Sequence, residues 1–311
     1  PPDPPELFAA MAMTGDQQAS SIPTDSGLMI LDPESLSWEH IGPKITFISS
    51  ATADPNDPET LFFACGNGIA RTTDGGETWR LVTGWRESDV VRIVIDPTDS
   101  NRIYAATIWG VTVSRDGGDS WEAANEGLPE YFSKDIVLDR GNLKRLLLAT
   151  TTGLFESTDR AESWHRVEPF PEIAVLRLER SPVNPDLWIA GTEGAGVWLS
   201  TDDARTWTQA APALGAANVY GVALDSTDPS LMAAGGWGTG IHVSKDGGST
   251  WQRSAGELPS PNITAVIFDQ YRVGRLWIST FEKGTFFTDD SGATWSEPTL
   301  VGAYVFDLGY L

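Results

Sequence analysis

Apolar residues fall along this chain in short runs that are broken, again and again, by clusters of Asp, Gly and Pro. Val90-Val91-Arg92-Ile93-Val94-Ile95 gives way to Asp96-Pro97-Thr98-Asp99, and then Ile103-Tyr104-Ala105-Ala106 begins a second run. Runs of this kind bounded by turn residues predict β-strands. A third run, Gly110-Val111-Thr112-Val113-Ser114, leads into Arg115-Asp116-Gly117-Gly118. Asp-Gly after a β-run predicts a hairpin, because the turn needs residues that tolerate positive φ. A fourth strand is expected after it.

The pattern repeats. Seven Trp stand at 38, 79, 121, 164, 207, 251 and 295, and seven Gly at 27, 68, 110, 153, 196, 240 and 284. Each Gly precedes its Trp by 11 residues, while the step between units grows from 41 to 44, so insertions must sit in the connecting loops. A unit of four short antiparallel strands, A to D, in about 43 residues cannot bury both faces alone, and stacking such units predicts a β-propeller. Residues 7–41 supply strands B, C and D but no strand A, and the run Tyr304-Val305-Phe306-Asp307-Leu308 reads as the missing one. The expectation is an all-β, single-domain, seven-bladed propeller over 1–311, with the first blade closed by the C-terminal strand, leaving no sheet edge open. Blade 1 is expected at 6–41 plus 302–311, and blades 2 to 7 at 44–84, 89–127, 132–170, 172–213, 217–257 and 262–299.

The turns carry a motif. Thr72-Thr73-Asp74-Gly75-Gly76-Glu77-Thr78-Trp79, Ser114 to Trp121, Ser244 to Trp251 and Thr288 to Trp295 fit Ser/Thr-x-Asp-x-Gly-x-Thr/Ser-Trp. The turns ending at Trp164 and Trp207 fit except that Ala161 and Ala204 replace Gly, and the first blade, Leu31 to Trp38, has lost the Asp. This resembles the Asp-box of BNR-repeat propellers, a group that includes sialidases, xyloglucanase-type glycoside hydrolases, the sortilin ectodomain and the photosystem II assembly propeller. The resemblance covers most of the chain and implies the fold; function lives in sites grafted onto it. Asp74, Asp116, Asp159, Asp202, Asp246 and Asp290 are read as structural, accepting N–H bonds within their own turns, because six copies of one catalytic acid have no use. The resemblance also implies a ligand face that carries the B–C and D–A loops, opposite these turns.

On that face the expected ligand-binding residues are Trp85, Arg86, Trp109, Tyr131, Trp237 and Phe281, with Phe132 beside them, since loop aromatics stack on sugar rings or anchor a partner. Trp188, Trp198 and Trp277 fall within strands and are assigned to packing. A long loop at 14–26, rich in Ser, Gln, Thr and Asp, reads as a flap or a tolerated insertion. A hydrolase would need two carboxylates about 5–10 Å apart, and the candidates are Asp89, Asp135, Glu193 and Glu282, with Glu87. Sialidases hold a sugar carboxylate with three arginines, one of them in an Arg-Ile-Pro motif that this chain lacks. Only Arg86, Arg92 and Arg177 fall near the expected mouth. Xyloglucanase-type enzymes use a cleft between two propellers, and this chain supplies one.

Charge narrows the partners. With 43 acidic and 21 basic residues the net charge is −22, and only five of the basic residues are Lys, which argues against nucleic acid and against the basic partner surface of the photosystem propeller. No apolar run reaches the length of a membrane span. The single Cys65 lies in an apolar run and reads as a buried hydrophobe. His40, His165 and His242 have no metal-ligand spacing, so neither metal nor cofactor is expected. The reading is a non-enzymatic binding or assembly propeller, monomeric, for a protein or a glycan, outside the cytoplasm after loss of a signal peptide; the alternative is a glycoside hydrolase.

Overall fold

The computed structural model describes residues 5–13, 25–84, 87–129 and 132–311. The chain is an all-β, seven-bladed propeller built from antiparallel sheets. Blade 1 orders β27 (Ala303–Tyr310), β1 (Leu7–Met13), β2 (Gly27–Leu31) and β3 (Trp38–Ile41), so the C-terminal strand is its strand A. Blade 2 holds β4 (Ile48–Asp54), β5 (Asp57–Cys65), β6 (Gly68–Thr72) and β7 (Arg80–Leu81), and blade 3 holds β8 (Val90–Asp96), β9 (Asp99–Thr107), β10 (Gly110–Ser114) and β11 (Glu122–Ala123). Blade 4 is β12 (Ser133–Leu138), β13 (Leu146–Thr150), β14 (Gly153–Ser157) and β15 (His165–Arg166). Blade 5 is β16 (Val175–Arg180), β17 (Trp188–Thr192), β18 (Val197–Ser200) and β19 (Thr208–Ala210). Blade 6 is β20 (Val219–Leu224), β21 (Met232–Gly236), β22 (Gly240–Ser244) and β23 (Gln252–Arg253). Blade 7 pairs β24 (Ile263–Phe268), β25 (Leu276–Thr280) and β26 (Gly284–Thr288); a lone bridge between Thr285 and Thr299 takes the place of its fourth ladder.

The chain divides into two compact units, one formed by 1–150, 155–165 and 306–311, the other by 151–154 and 166–305. In the first, apolar side chains of neighbouring blades interlock: Phe8, Leu28 and Ile48 with Phe63, then Phe62 and Ile69 with Ile93, then Tyr104 and Val111 with Leu148 and Trp164. In the second, Ile189 and Val197 pack on Val222 and Met232, and Ile241 on Ile278 and Phe286. Cys65 is buried in the first of these layers, where desolvation raises its thiol pKa. Strands B are buried along their whole length in most blades, as in Leu146–Thr150, which explains why they read as continuous apolar runs.

The repeated Gly has a backbone cause. Six open strand C and Gly196 stands just before it, all with positive φ, from +66° at Gly196 to +146° at Gly27. At Gly110 a Cβ would also fall 2.2 Å from the Asn125 side chain. Eleven residues later, each Trp closes a turn that is bonded to itself. In blade 3 the Ser114 hydroxyl donates to Asp116 Oδ1 at 2.8 Å and accepts from the Gly118 N–H at 2.8 Å. Asp116 then accepts from the Ser120 N–H (2.8 Å) and hydroxyl (2.6 Å), and Trp121 Nε1 donates to the Gly118 carbonyl at 3.2 Å. Trp164 instead reaches the preceding blade and donates to the Ala124 carbonyl at 2.8 Å. Where glycine is absent the turn keeps its shape: Arg160 and Ala161, and Asp203 and Ala204, hold φ between +62° and +67°.

Candidate functional site

In each blade the start of strand A and the B–C turn lie at one end, and the Asp-bearing C–D turn at the other; in blade 3, Val90 pairs with Thr107, which pairs with Gly110. Strand A has a feature that alternation alone does not reveal. Six of these strands carry a register shift after their first residue: Ile48/Ser50, Val90/Arg92, Ser133/Asp135, Val175/Arg177, Val219/Gly221 and Ile263/Ala265. The skipped residues are Ser49, Val91, Lys134, Leu176, Tyr220 and Thr264. A bulge of this kind re-aims the side chains beyond it.

Within the first unit the bulge buries charge. Arg92 Nε lies 3.1 Å from Asp135 Oδ1, while Nη1 and Nη2 lie 3.0 and 3.3 Å from the two oxygens of Asp307. One guanidinium thus ties strands A of blades 1, 3 and 4. The Asp307 and Asp135 side chains are 0% and 3% exposed. Burial pushes the Asp307 carboxyl up to about 6 against the pull of Arg92, the direction in which desolvation moves any carboxylate. Asp135 was expected as a candidate acid at the ligand face; it lies in this cluster, closed to a polymeric substrate. Ser50, at the matching place in β4, has a buried hydroxyl without a hydrogen-bond partner.

The other candidate carboxylates stand on turns. Asp89 is exposed at φ +54°, with its Oδ2 accepting from the Ser88 hydroxyl at 2.9 Å. Glu193 is exposed in the B–C turn of blade 5, Glu282 is half-buried at φ +63° in that of blade 7, and Glu87 Oε2 accepts from the Gly84 N–H at 3.0 Å. No hydrogen bond joins any two of them. Among the described residues no group of three or more His, Cys, Asp or Glu could hold a metal ion. His242 is buried on β22, with Nδ1 unpartnered and its pKa lowered by desolvation.

The aromatic residues fare differently. In the second unit Trp237, 50% exposed, meets Phe281 edge-on at 5.3 Å, and Phe281 meets Tyr304 edge-on at 5.4 Å. Tyr220, on the bulge of β20, is exposed and close enough to raise the Tyr304 pKa, whose main cause is burial. In the first unit Trp109 and Phe132 are exposed, and Phe47 stacks obliquely on Phe306 at 5.7 Å beside a cavity of ≈ 340 Å³. Trp188 and Trp277 are buried in strands B and Trp198 is half-buried in strand C. Trp85, Arg86, Tyr131 and the 14–24 part of the expected flap lie outside the described residues. Tyr220, Tyr304, Phe47 and Phe306 were not singled out from the sequence. Aligning the starts of strands A by their repeat would have placed Tyr220 and Phe306 in one column.

No protein-family model matches the sequence, and no curated protein matches it. Solved structures share the fold. An ancestral GH74 enzyme aligns with a TM-score of 0.69 at 18% identity, covering 81% of this chain and 38% of its own. The GH74 enzyme of Niastella koreensis gives 0.77 at 17%, covering 93% and 52%. YCF48 bound to a D1 peptide gives 0.60 at 18%, covering 82% of each chain. The chain therefore spans about half or less of either GH74 enzyme. Propellers of this shape include glycoside hydrolases and a protein solved with a peptide, and identities this low speak for fold alone.

Proposed function

We propose that the protein is a non-enzymatic binding propeller that recognises another protein through the B–C turn and strand-A end of its blades, outside the cytoplasm and as a monomer. The observation that carries this reading is the row Trp237–Phe281–Tyr304, with Tyr220 beside it. Its rings meet edge to face, at 60° and 72°. They form a corrugated apolar surface that suits protein side chains better than the flat face on which a sugar ring stacks. The six Asp turns, which resemble Asp-boxes, serve as structure: their carboxylates are occupied by hydroxyls and N–H groups of their own turns. The hydrolase reading loses support from Asp135, which is buried in an ion pair. YCF48, a propeller of similar fold, is solved with a peptide, which agrees with protein recognition.

The test combines capture with a control for catalysis. A partner captured by the intact protein is expected to be lost with Trp237→Ala and Phe281→Ala and retained with Asp89→Asn. Turnover of chromogenic glycosides that disappears in Asp89→Asn or Asp135→Asn would overturn the reading. Selective retention on a glycan array through Trp237 would move the partner class to carbohydrate.

A further inference from the structure

The ≈ 340 Å³ cavity in the first unit lies outside the Trp237 row and belongs to different strands. Phe47 and Phe306, whose rings lie 5.7 Å apart, line it together with Ile48, Val90, Val91 and Ile108. Phe47 is 62% exposed, an unusual cost for a phenyl ring that has nothing to cover it. The volume is at the lower end of the about 300–1,000 Å³ of small-ligand sites, enough for one or two large apolar side chains.

Its single charged wall residue among those described is Asp89. The backbone of this residue is held from both sides: its N–H donates to the Gly66 carbonyl at 3.0 Å, and its carbonyl accepts from the Ile108 N–H at 3.2 Å. It keeps a left-handed conformation, φ +54°, that Asp tolerates but does not prefer. The carboxylate is met only by the Ser88 hydroxyl, with no cation paired to it among the described residues. A negative charge that meets no cation among the described residues, set in the lining of an apolar cavity, complements a cation next to an apolar group. The chain as a whole carries −22, which favours the approach of a basic segment.

We infer that this cavity docks a peptide segment of a partner protein that inserts a large apolar side chain and sets an adjacent Lys or Arg against Asp89. The site is independent of the Trp237 row, and its test can succeed or fail apart from it.

A random 12-residue phage library is panned on the intact protein, with depletion on the Phe47→Ala/Asp89→Asn double variant. The expected winners place Leu, Ile, Met or Phe within two residues of Lys or Arg. A labelled peptide of the winning sequence, followed by fluorescence anisotropy, should lose about tenfold in affinity with Phe47→Ala. With Asp89→Asn the loss should be about two- to fivefold and should vanish at high salt, as for an exposed ion pair. Trp237→Ala should change nothing. The inference fails if no sequence escapes depletion, if winners lack the cation, or if Trp237→Ala abolishes their binding. Circular dichroism melts of each variant verify that the fold persists; since Phe47 and Asp89 are both exposed, an unfolded variant would itself contradict their place at the rim.

Discussion

The two ends of the blades are built from the same strands and treat their polar groups in opposite ways. At the C–D end the motif Asp in each of six turns is engaged by its own turn: Asp202 accepts from the Ser200 hydroxyl and from the N–H and hydroxyl of Thr206. These turns leave little to offer a partner. At the strand-A end Asp135 and Asp307 are buried against Arg92, Asp89 meets no cation among the described residues, and large apolar side chains such as Phe47, Trp109 and Trp237 are exposed. The contrast separates holding from recognising: a satisfied turn stabilises the blade that carries it, and an unsatisfied surface is where binding energy remains available.

Four experiments can break or sharpen that contrast. The largest effect is expected for Arg92→Ala, which removes the guanidinium that both buried carboxylates, Asp135 and Asp307, meet. A loss of about 3–5 kcal/mol in chemical denaturation is expected, and a change under 1 kcal/mol would show that the cluster is not holding the strands. Next comes pH. Asp307 has a folded pKa of about 6 against an ordinary 3.8, so its contribution is full below pH 4 and is lost as pH rises through 6, on the order of 2–3 kcal/mol. The turn acids run the other way. Asp74, Asp116, Asp202 and Asp290 sit at about 2, so what they contribute is present above pH 4 and is lost as pH falls toward 2. Asp307→Asn should flatten only the slope between pH 4 and 6, and Asp202→Asn only the acid limb; both limbs moving together would refute the separation.

A smaller change is expected for Ser157→Ala, whose buried hydroxyl accepts from the Ala161 N–H at 2.8 Å. Leaving that N–H unsatisfied should cost about 1–3 kcal/mol, read from the melting temperature. Trp237→Ala should be the mildest, about 1 kcal/mol or less in stability, because half of its surface is already in water. A greater loss would make it a structural residue and remove the main support for the binding surface.

The repeat made the architecture legible. The fixed spacing of Gly and Trp reports two backbone demands, a positive φ at the start of strand C and a closed turn 11 residues on. The unpaired run at the end of the chain was enough to place β27 in blade 1. The site was less legible, for a local reason. Asp135 reads as an end-of-strand acid until the bulge before it is known, and the shift turns it inward to Arg92. Alternation cannot register a residue that drops out of the ladder. Trp237 and Phe281 were visible as loop aromatics. Tyr304, which continues their row, was hidden inside a strand whose evident task was closure.

That dropped residue has a wider consequence. At six equivalent places the chain carries Ser49, Val91, Lys134, Leu176, Tyr220 and Thr264, a hydroxyl, a small aliphatic, a cation, a larger aliphatic, a phenol and a second hydroxyl. Just before them stand Ile48, Val90, Ser133, Val175, Val219 and Ile263, all buried and mostly β-branched. The molecule thus performs its own substitution experiment, six different side chains in one backbone setting without disturbing the neighbouring pairings. Randomising the codons of Lys134 and Tyr220, the two whose side chains are exposed, offers a route to new specificities on an unchanged frame.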